Sequence, residues 1–307
     1  MKVLLTRDFS GMEELAAAHE VRRHEGTLGP DAMRAALAEY DAVITTIGDG
    51  WTAEVLGTGP HRCRLLANFG VGWNHIDGEA AAAAGVMVSN TPDATTQPTA
   101  DVALMLILMT CRRAGAAERM LRAGHWGGWR PDQLMGVHPG GKTLGIVGLG
   151  RIGKAVRDRA RAIGMKVIHF NRSRTGVEGQ VDDLHEMLGR SDVVCCCVPG
   201  GASTRGLLGR DALAAMPPHA ILVNVSRGDV VDEDALIAAL EAGALGGAGL
   251  DVYANEPEVP EGLMRENTVL MPHIGTATPE VRADMGRMAA ANVLALAEGR
   301  EPPNRVA

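Results

Sequence analysis

Thr143-Leu-Gly-Ile-Val-Gly148-Leu-Gly150-Arg-Ile-Gly153-Lys-Ala-Val-Arg-Asp-Arg-Ala160 is the stretch that decides the fold. Its apolar first half predicts a strand, Lys154 to Ala160 predicts a helix, and three glycines at G-x-G-x-x-G spacing join them. That is the dinucleotide-binding fingerprint in its required context. Gly148 permits the tight turn, Gly150 lets a pyrophosphate approach bare backbone, and Gly153 lets the helix pack close to the strand. The helix N-terminus then offers unpaired N–H groups and a positive dipole end to the phosphates. Arg151 and Ile152, which fill the variable positions, join the glycines as candidate cofactor contacts. In a chain of 39 glycines the six-residue motif alone is weak, and the flanking strand and helix are what make it specific.

The next strand predicts which dinucleotide is bound. An NAD site ends that strand in Asp or Glu about 20 residues on, to take the ribose hydroxyls. Here Met165-Lys-Val-Ile-His-Phe170 runs into Asn171-Arg172-Ser173-Arg174, with no carboxylate and two arginines. A guanidinium fork beside a hydroxyl suits a 2′-phosphate, so Asn171, Arg172 and Ser173 point to NADP(H), with NAD(H) as the second choice. The bland alternative is that Arg172 and Arg174 are solvated loop charges.

A length of 307 residues suggests two domains, and 46% hydrophobic with 22% charged residues is ordinary for a globular protein. A net charge of −7 argues against nucleic-acid or anionic-membrane partners. The longest apolar stretch, Val102 to Met109, is too short to span a bilayer and reads as a buried helix. The start, Met1-Lys-Val-Leu-Leu-Thr-Arg-Asp, reads as a first strand and not as a signal peptide, so cytoplasm is the expected location. Cys195, Cys196 and Cys197 are consecutive on a predicted strand whose side chains alternate in direction, which suits small core residues better than a metal site or a disulfide. A redox sensor is the alternative. The ten histidines show no ligand spacing, and no metal is expected.

Two series of Val/Ile/Leu-rich runs alternate with Ala-rich helical stretches, the pattern of parallel sheets covered by helices. The first has runs at Val3–Thr6, Ala42–Thr46, Leu65–Asn68 and Val86–Ser89. The second has Leu144–Gly148, Lys166–Phe170, Val193–Val198, Ile221–Val225, Gly249–Val252 and Val269–Met271. Pro92 and Pro98 precede a long predicted helix from Thr99 to Ala123, and a last helix from Pro279 to Glu298 stops at Gly299. The expectation is an α/β protein of two Rossmann-like, doubly wound parallel-sheet domains. One is discontinuous, 1–98 plus 280–307, and binds substrate; the other, 99–279, binds the dinucleotide.

Three residues, each just beyond a predicted strand, are candidates for chemistry: Arg227, Glu256 and His273. Ligands of open α/β sheets bind at the carboxyl ends of the strands, so the three would share an edge with the pyrophosphate. A histidine can pass a proton to a forming alkoxide while a carboxylate on its other nitrogen orients the ring. An arginine can clamp a carboxylate or carbonyl oxygen. Together they specify a 2-oxo acid better than a plain ketone. Singly, each has a bland reading as a loop or surface residue.

These segments, with Asn68-Phe-Gly-Val-Gly-Trp-Asn-His-Ile-Asp77, Asn90-Thr-Pro-Asp93, Thr99-Ala-Asp101, Asn224-Val-Ser-Arg-Gly228, Gly249-Leu-Asp-Val252 and Pro272-His-Ile-Gly-Thr-Ala-Thr278, resemble the D-isomer-specific 2-hydroxyacid dehydrogenases over essentially the whole chain. The resemblance implies catalytic Arg227, Glu256 and His273, Asp251 near the nicotinamide carboxamide, and cofactor contacts at Val198, Thr204, Val225 and Gly275. It implies a substrate carboxylate on the N–H groups of Val71 and Gly72, two domains closing around the substrate in their cleft, and a homodimer through the dinucleotide-binding domain. Within the family the chain looks most like the NADP-preferring glyoxylate/hydroxypyruvate reductases. Gly124-His-Trp126-Gly-Gly-Trp129-Arg-Pro131 resembles their tryptophan loop, which implies that Trp129 reaches the partner subunit's active site. Two departures are the glycine-rich Pro199–Thr204 turn and the Trp73-Asn74 pair. Competing readings are an NAD-dependent enzyme resembling phosphoglycerate dehydrogenase, which would want an acid at 171, and a dinucleotide-sensing corepressor, which would not need all three catalytic residues.

Overall fold

In the computed structural model, which describes residues 1–307, the two series of apolar runs become two sheets in which every strand pairing is parallel. Packing divides the chain into one unit of Met1–Thr95 with Thr276–Ala307 and another of Thr96–Gly275. The first break falls at the start of the helix Thr96–Cys111 and the second in the turn before Pro279–Ala297, so that each helix stays whole within one unit.

The first unit holds β1 (Lys2–Leu5), β2 (Glu20–Arg23), β3 (Ala42–Thr45), β4 (Leu65–Asn68) and β5 (Met87–Ser89), in the order β2-β1-β3-β4-β5. Strands β3 and β4 are buried along their whole length, because both faces of a parallel sheet are covered. Period-two alternation sends Val3 and Leu5, with Ala42 and Ile44, against Phe9, Leu15 and the helix Pro279–Ala297, while Leu4 and Val43 face Leu37, Trp51 and Leu56. The sequence expectations lacked β2: Glu-Val-Arg-Arg has no apolar run, because it is an edge strand with its side chains mostly in water. The helix Pro279–Ala297 begins at Thr278, whose hydroxyl accepts from the Val281 N–H, and the chain turns at Gly299 with φ +74°. Its Gly286 lies so close to the carbonyl of Ser10 that a Cβ would sit 1.7 Å from that oxygen.

The second unit holds β6 (Thr143–Val147), β7 (Lys166–Phe170), β8 (Val193–Cys196), β9 (Ile221–Asn224), β10 (Gly247–Leu250) and β11 (Thr268–Leu270), in the order β11-β10-β9-β8-β6-β7. Counted within each unit, both sheets follow 2-1-3-4-5, the second with a sixth strand added. The strand order therefore reverses at β1/β3 in one and at β6/β8 in the other, and ligand crevices form outside the carboxyl ends at such points. Cys195 packs on the face with Leu144, Ile146 and the helix Thr96–Cys111, and Cys196 on the opposite face with Val147 and Leu222. A sulfur contact of 3.7 Å with Cys197, together with burial, holds the Cys195 thiol well above its ordinary pKa, and burial does the same to Cys196.

The single helix expected from Thr99 to Ala123 is two helices, Thr96–Cys111 and Ala114–Arg122, with Arg113 between them at φ +51°. The break has a packing cause. The Val137 N–H donates to the Cys111 carbonyl at 2.7 Å, and Gly136 presses against that carbonyl so closely that a Cβ would lie 2.3 Å from it. No helix is long and apolar enough to cross a membrane.

Candidate active site

The glycine-rich turn leaves β6 and enters the helix Arg151–Ala162. Gly148 has φ +95°, and a Cβ there would strike Val198 at 2.7 Å and the Cys197 backbone at 3.1 Å. At Gly153 a Cβ would lie 2.3 Å from the Gly148 carbonyl, whereas at Gly150 it would meet nothing within 4 Å. Two glycines are thus required by the protein's own packing, and the middle one faces open space at a helix N-terminus, the geometry a pyrophosphate needs. The residues present fit a dinucleotide.

Asn171 follows β7 and turns its Oδ1 back to accept from the Leu149 N–H at 2.8 Å, bracing the turn with an amide where an NAD site would carry a carboxylate. Arg172 and Ser173 are exposed beside it. Arg174 is exposed as well, and Asp182 takes its guanidinium at 3.2 Å, so Arg172 is the arginine with no carboxylate partner. Thr204 is buried, and its hydroxyl donates to the Pro199 carbonyl at 2.7 Å, closing the glycine-rich 199–204 turn. Val225 is buried directly after β9.

Arg227, Glu256 and His273 come together at the carboxyl ends of β9, β10 and β11. His273 Nδ1 lies 2.8 Å from Glu256 Oε2, and Glu256 Oε1 accepts from the Tyr253 N–H at 3.0 Å. Burial pushes the Glu256 carboxyl up, but its bond to His273, the His273 charge, the Tyr253 amide and Arg227 overcome that and hold it below its ordinary value. Ionised Glu256 fixes Nδ1 as the donor, which leaves Nε2 to act on a substrate. The side chains of His273 and Glu256 keep 32% and 28% of their surface exposed, so the pair is both braced and reachable. Arg227 is anchored by its Nη1 to the Ser226 carbonyl at 2.7 Å. Burial pulls its pKa down, against the opposing charges of Glu256 and Asp229. Gly228 brings the Arg227 and Glu256 loops into contact, since a Cβ there would lie 1.8 Å from the Tyr253 carbonyl carbon.

His273 has φ +54°, a left-handed conformation rare for a residue with a side chain. Asp251 holds the turn behind it. The buried carboxylate accepts from the Ile274 N–H at 2.7 Å and from the Gly275 N–H at 2.9 Å. Burial raises the Asp251 pKa, while those two amides and the His273 charge act the other way.

In the first unit, the loop after β4 carries Val71 and Gly72. Asn68 Nδ2 donates to the carbonyls of Gly70 at 2.8 Å and Gly72 at 3.1 Å, and Asn90 Nδ2 donates to that of Val71 at 2.9 Å. With three successive carbonyls tied back, the N–H groups of Val71 and Gly72 are left without a partner, a backbone concavity suited to an anion. Sequence alone assigns no role to Asn68 or Asn90, nor to Asn224, whose amide takes the Ser226 N–H and donates to the Arg227 carbonyl. An asparagine at or just after the end of a strand is the available signal, because its side chain bonds readily to backbone two or three residues on. Trp126 and Trp129 are exposed, Trp129 to 80%.

A glycine turn built for a pyrophosphate, with a carboxylate-braced histidine and an arginine on the same sheet edge, defines an oxidoreductase that uses a nicotinamide dinucleotide. Residues 104–275 match the family described as D-isomer specific 2-hydroxyacid dehydrogenase, NAD binding domain. The glyoxylate reductase of Thermococcus litoralis is 39% identical, over 99% of this chain and 96% of its own. Among solved structures, the TT0316 protein from Thermus thermophilus superposes with a TM-score of 0.92 at 40% identity, covering 100% of both chains. An NADPH-dependent glyoxylate/hydroxypyruvate reductase from Sinorhizobium meliloti, solved with NADP and malonate, gives 0.88 at 34% identity, over 100% of this chain and 96% of that one. The chain belongs to the D-isomer-specific 2-hydroxyacid dehydrogenase family and is an NAD(P)-dependent oxidoreductase.

Proposed function

We propose that the protein reduces a small 2-oxo acid, glyoxylate or hydroxypyruvate, to the D-2-hydroxy acid with NADPH. The observation that carries this reading is the Glu256–His273 pair at 2.8 Å with Arg227 on the adjoining loop. The dinucleotide, held by Gly148, Gly150, Arg151, Ile152, Gly153, Val198, Val225, Asp251 and Gly275, supplies a hydride when bound. Protonated His273 donates from Nε2 to the carbonyl oxygen as that oxygen gains charge. Glu256 keeps the ring oriented through Nδ1 and stabilises the imidazolium before transfer. Arg227 clamps the substrate's carbonyl and carboxylate oxygens, and the Val71 and Gly72 N–H groups take the carboxylate. Arg172, with Asn171 and Ser173, reads the 2′-phosphate. Support for NADPH comes from the absence of an acid at 171 and from the reductase of known structure that binds NADP. Thr204 contributes to the adenosine end through its turn and not its hydroxyl, which is already spent on Pro199. A homodimer through the second unit gives exposed Trp129 a partner subunit to pack against.

The test is initial-rate oxidation of NADPH and NADH with glyoxylate, hydroxypyruvate, pyruvate and phenylpyruvate in parallel, for the wild type and Arg172→Ala. NADPH-preferring turnover is expected. Arg172→Ala raises the KM for NADPH about tenfold or more and that for NADH little, since a charge-assisted hydrogen bond contributes about 1.5–3 kcal/mol. Cofactor binding with no turnover of any 2-oxo acid overturns the reading.

A further inference from the structure

Two of the partly buried arginines of the first unit, Arg7 and Arg282, are treated in opposite ways. Arg7, just past β1, is neutralised: its Nη2 lies 3.1 Å from Oδ1 of buried Asp49, and its Nη1 donates to the Thr6 carbonyl. Arg282, at the end of the first turn of the helix Pro279–Ala297, donates its backbone N–H to the Thr278 carbonyl, but its guanidinium has no carboxylate within ion-pair distance and donates to no protein acceptor. Its guanidinium carbon stands 5.8 Å from the centroid of the Phe69 ring, which is itself stacked on Phe9 at 4.5 Å. Burial alone pulls its pKa below the ordinary value, and no neighbouring charge opposes the shift.

Three costs coincide there. A half-buried cation loses hydration, a cation near a helix N-terminus faces the positive end of the dipole, and a stacked guanidinium gives up rotamer freedom. The ring face returns only part of this. An anion at the guanidinium would offset those costs. Phe69, the residue under the guanidinium, immediately precedes the Gly70–Gly72 loop, whose Val71 and Gly72 N–H groups are likewise unpartnered donors.

We infer that Arg282 is a substrate-binding residue whose guanidinium, held on the Phe69 ring, supplies the positive charge for the anionic end of the 2-oxo acid beside the Val71 and Gly72 amides. This rests on the carboxylate assignment made under Proposed function. Arg282 acts on binding and takes no part in proton transfer, so its loss appears in KM and leaves kcat nearly intact.

The experiment compares wild type, Arg282→Met, which keeps a long apolar stem over Phe69, and Arg282→Lys, which keeps the charge. Steady-state constants for glyoxylate are measured with calorimetric affinities for oxalate and for NADPH, and thermal melts check the fold. Expected for Arg282→Met is a rise of about tenfold or more in both the glyoxylate KM and the oxalate Kd, with kcat within a few-fold and NADPH affinity unchanged. Arg282→Lys recovers most of the loss. Unchanged KM and oxalate Kd in Arg282→Met overturn the proposal, as does an Arg282→Lys variant as impaired as Arg282→Met. If the wild type reduces no 2-oxo acid yet binds oxalate in an Arg282-dependent way, the proposed reaction fails while the anion site stands. Should Arg282→Met not fold, Arg282→Gln carries the same measurements.

Discussion

The two sheets share a strand order and differ in what they place at their carboxyl edges. The first unit presents backbone: the Val71 and Gly72 N–H groups, aimed by Asn68 and Asn90. The second presents ionisable side chains, Arg227, Glu256 and His273, braced by Ser226, Tyr253 and the turn that Asp251 holds. A 2-1-3-4-5 order opens a crevice at the edge of either sheet, and the chemistry of each edge is set by the residues after the strands. A carboxylate does not change charge during hydride transfer, so fixed amide dipoles can hold it. The carbonyl oxygen does change, and it needs a group that can give up a proton.

The sharpest way to break this contrast is His273→Ala, which removes the proposed proton donor. It should lower kcat by about 10²–10⁴-fold with NADPH affinity nearly unchanged by fluorescence titration; near-normal turnover would take His273 out of the mechanism. On the other edge, Asn68→Ala releases the carbonyls of Gly70 and Gly72 and lets the amides turn away. A buried hydrogen-bonding group left unpaired costs about 1–3 kcal/mol, so the glyoxylate KM should rise about tenfold while kcat moves less. A variant that loses kcat and keeps KM would mean that the backbone edge does more than bind. The smallest effect sharpens the role of Glu256. Its carboxyl is held below the ordinary value in the folded protein, so it stays ionised across the neutral range and stabilises the His273 imidazolium. Glu256→Gln removes that charge from beside the ring. The fall of reductive kcat/KM with rising pH should then shift to lower pH by about one unit, equivalent to about 1.4 kcal/mol. An unmoved profile would show that Glu256 orients the ring without tuning it.

Much of this is legible in the amino-acid pattern. The strands buried on both faces announce themselves as apolar runs, and the fingerprint is readable because each of its glycines answers a local demand. What escapes does so for physical reasons. β2 has no apolar run because an edge strand need not have one. The break at Arg113 comes from Gly136 and Val137, more than twenty residues downstream, capturing the Cys111 carbonyl, a contact that no window of local pattern contains. Arg172 and Arg174 look alike in sequence, and only the fold gives Asp182 to one of them. The asparagines at the strand ends are visible as residue types, but which carbonyl each takes depends on loop geometry.

The sequence by itself determined the class: parallel sheets, a dinucleotide turn, and a histidine, a glutamate and an arginine each just past a strand. Those features are short-range, set by side-chain period and by what glycine permits within a few residues. The tertiary structure decided what the residues do to one another. It joined Glu256 to His273 across seventeen positions, spent the Thr204 hydroxyl on its own turn, and left the Val71 and Gly72 amides and Arg282 unpaired. Pairing and burial are properties of groups that meet only after the chain has folded, and they set the charge and reach of each site residue.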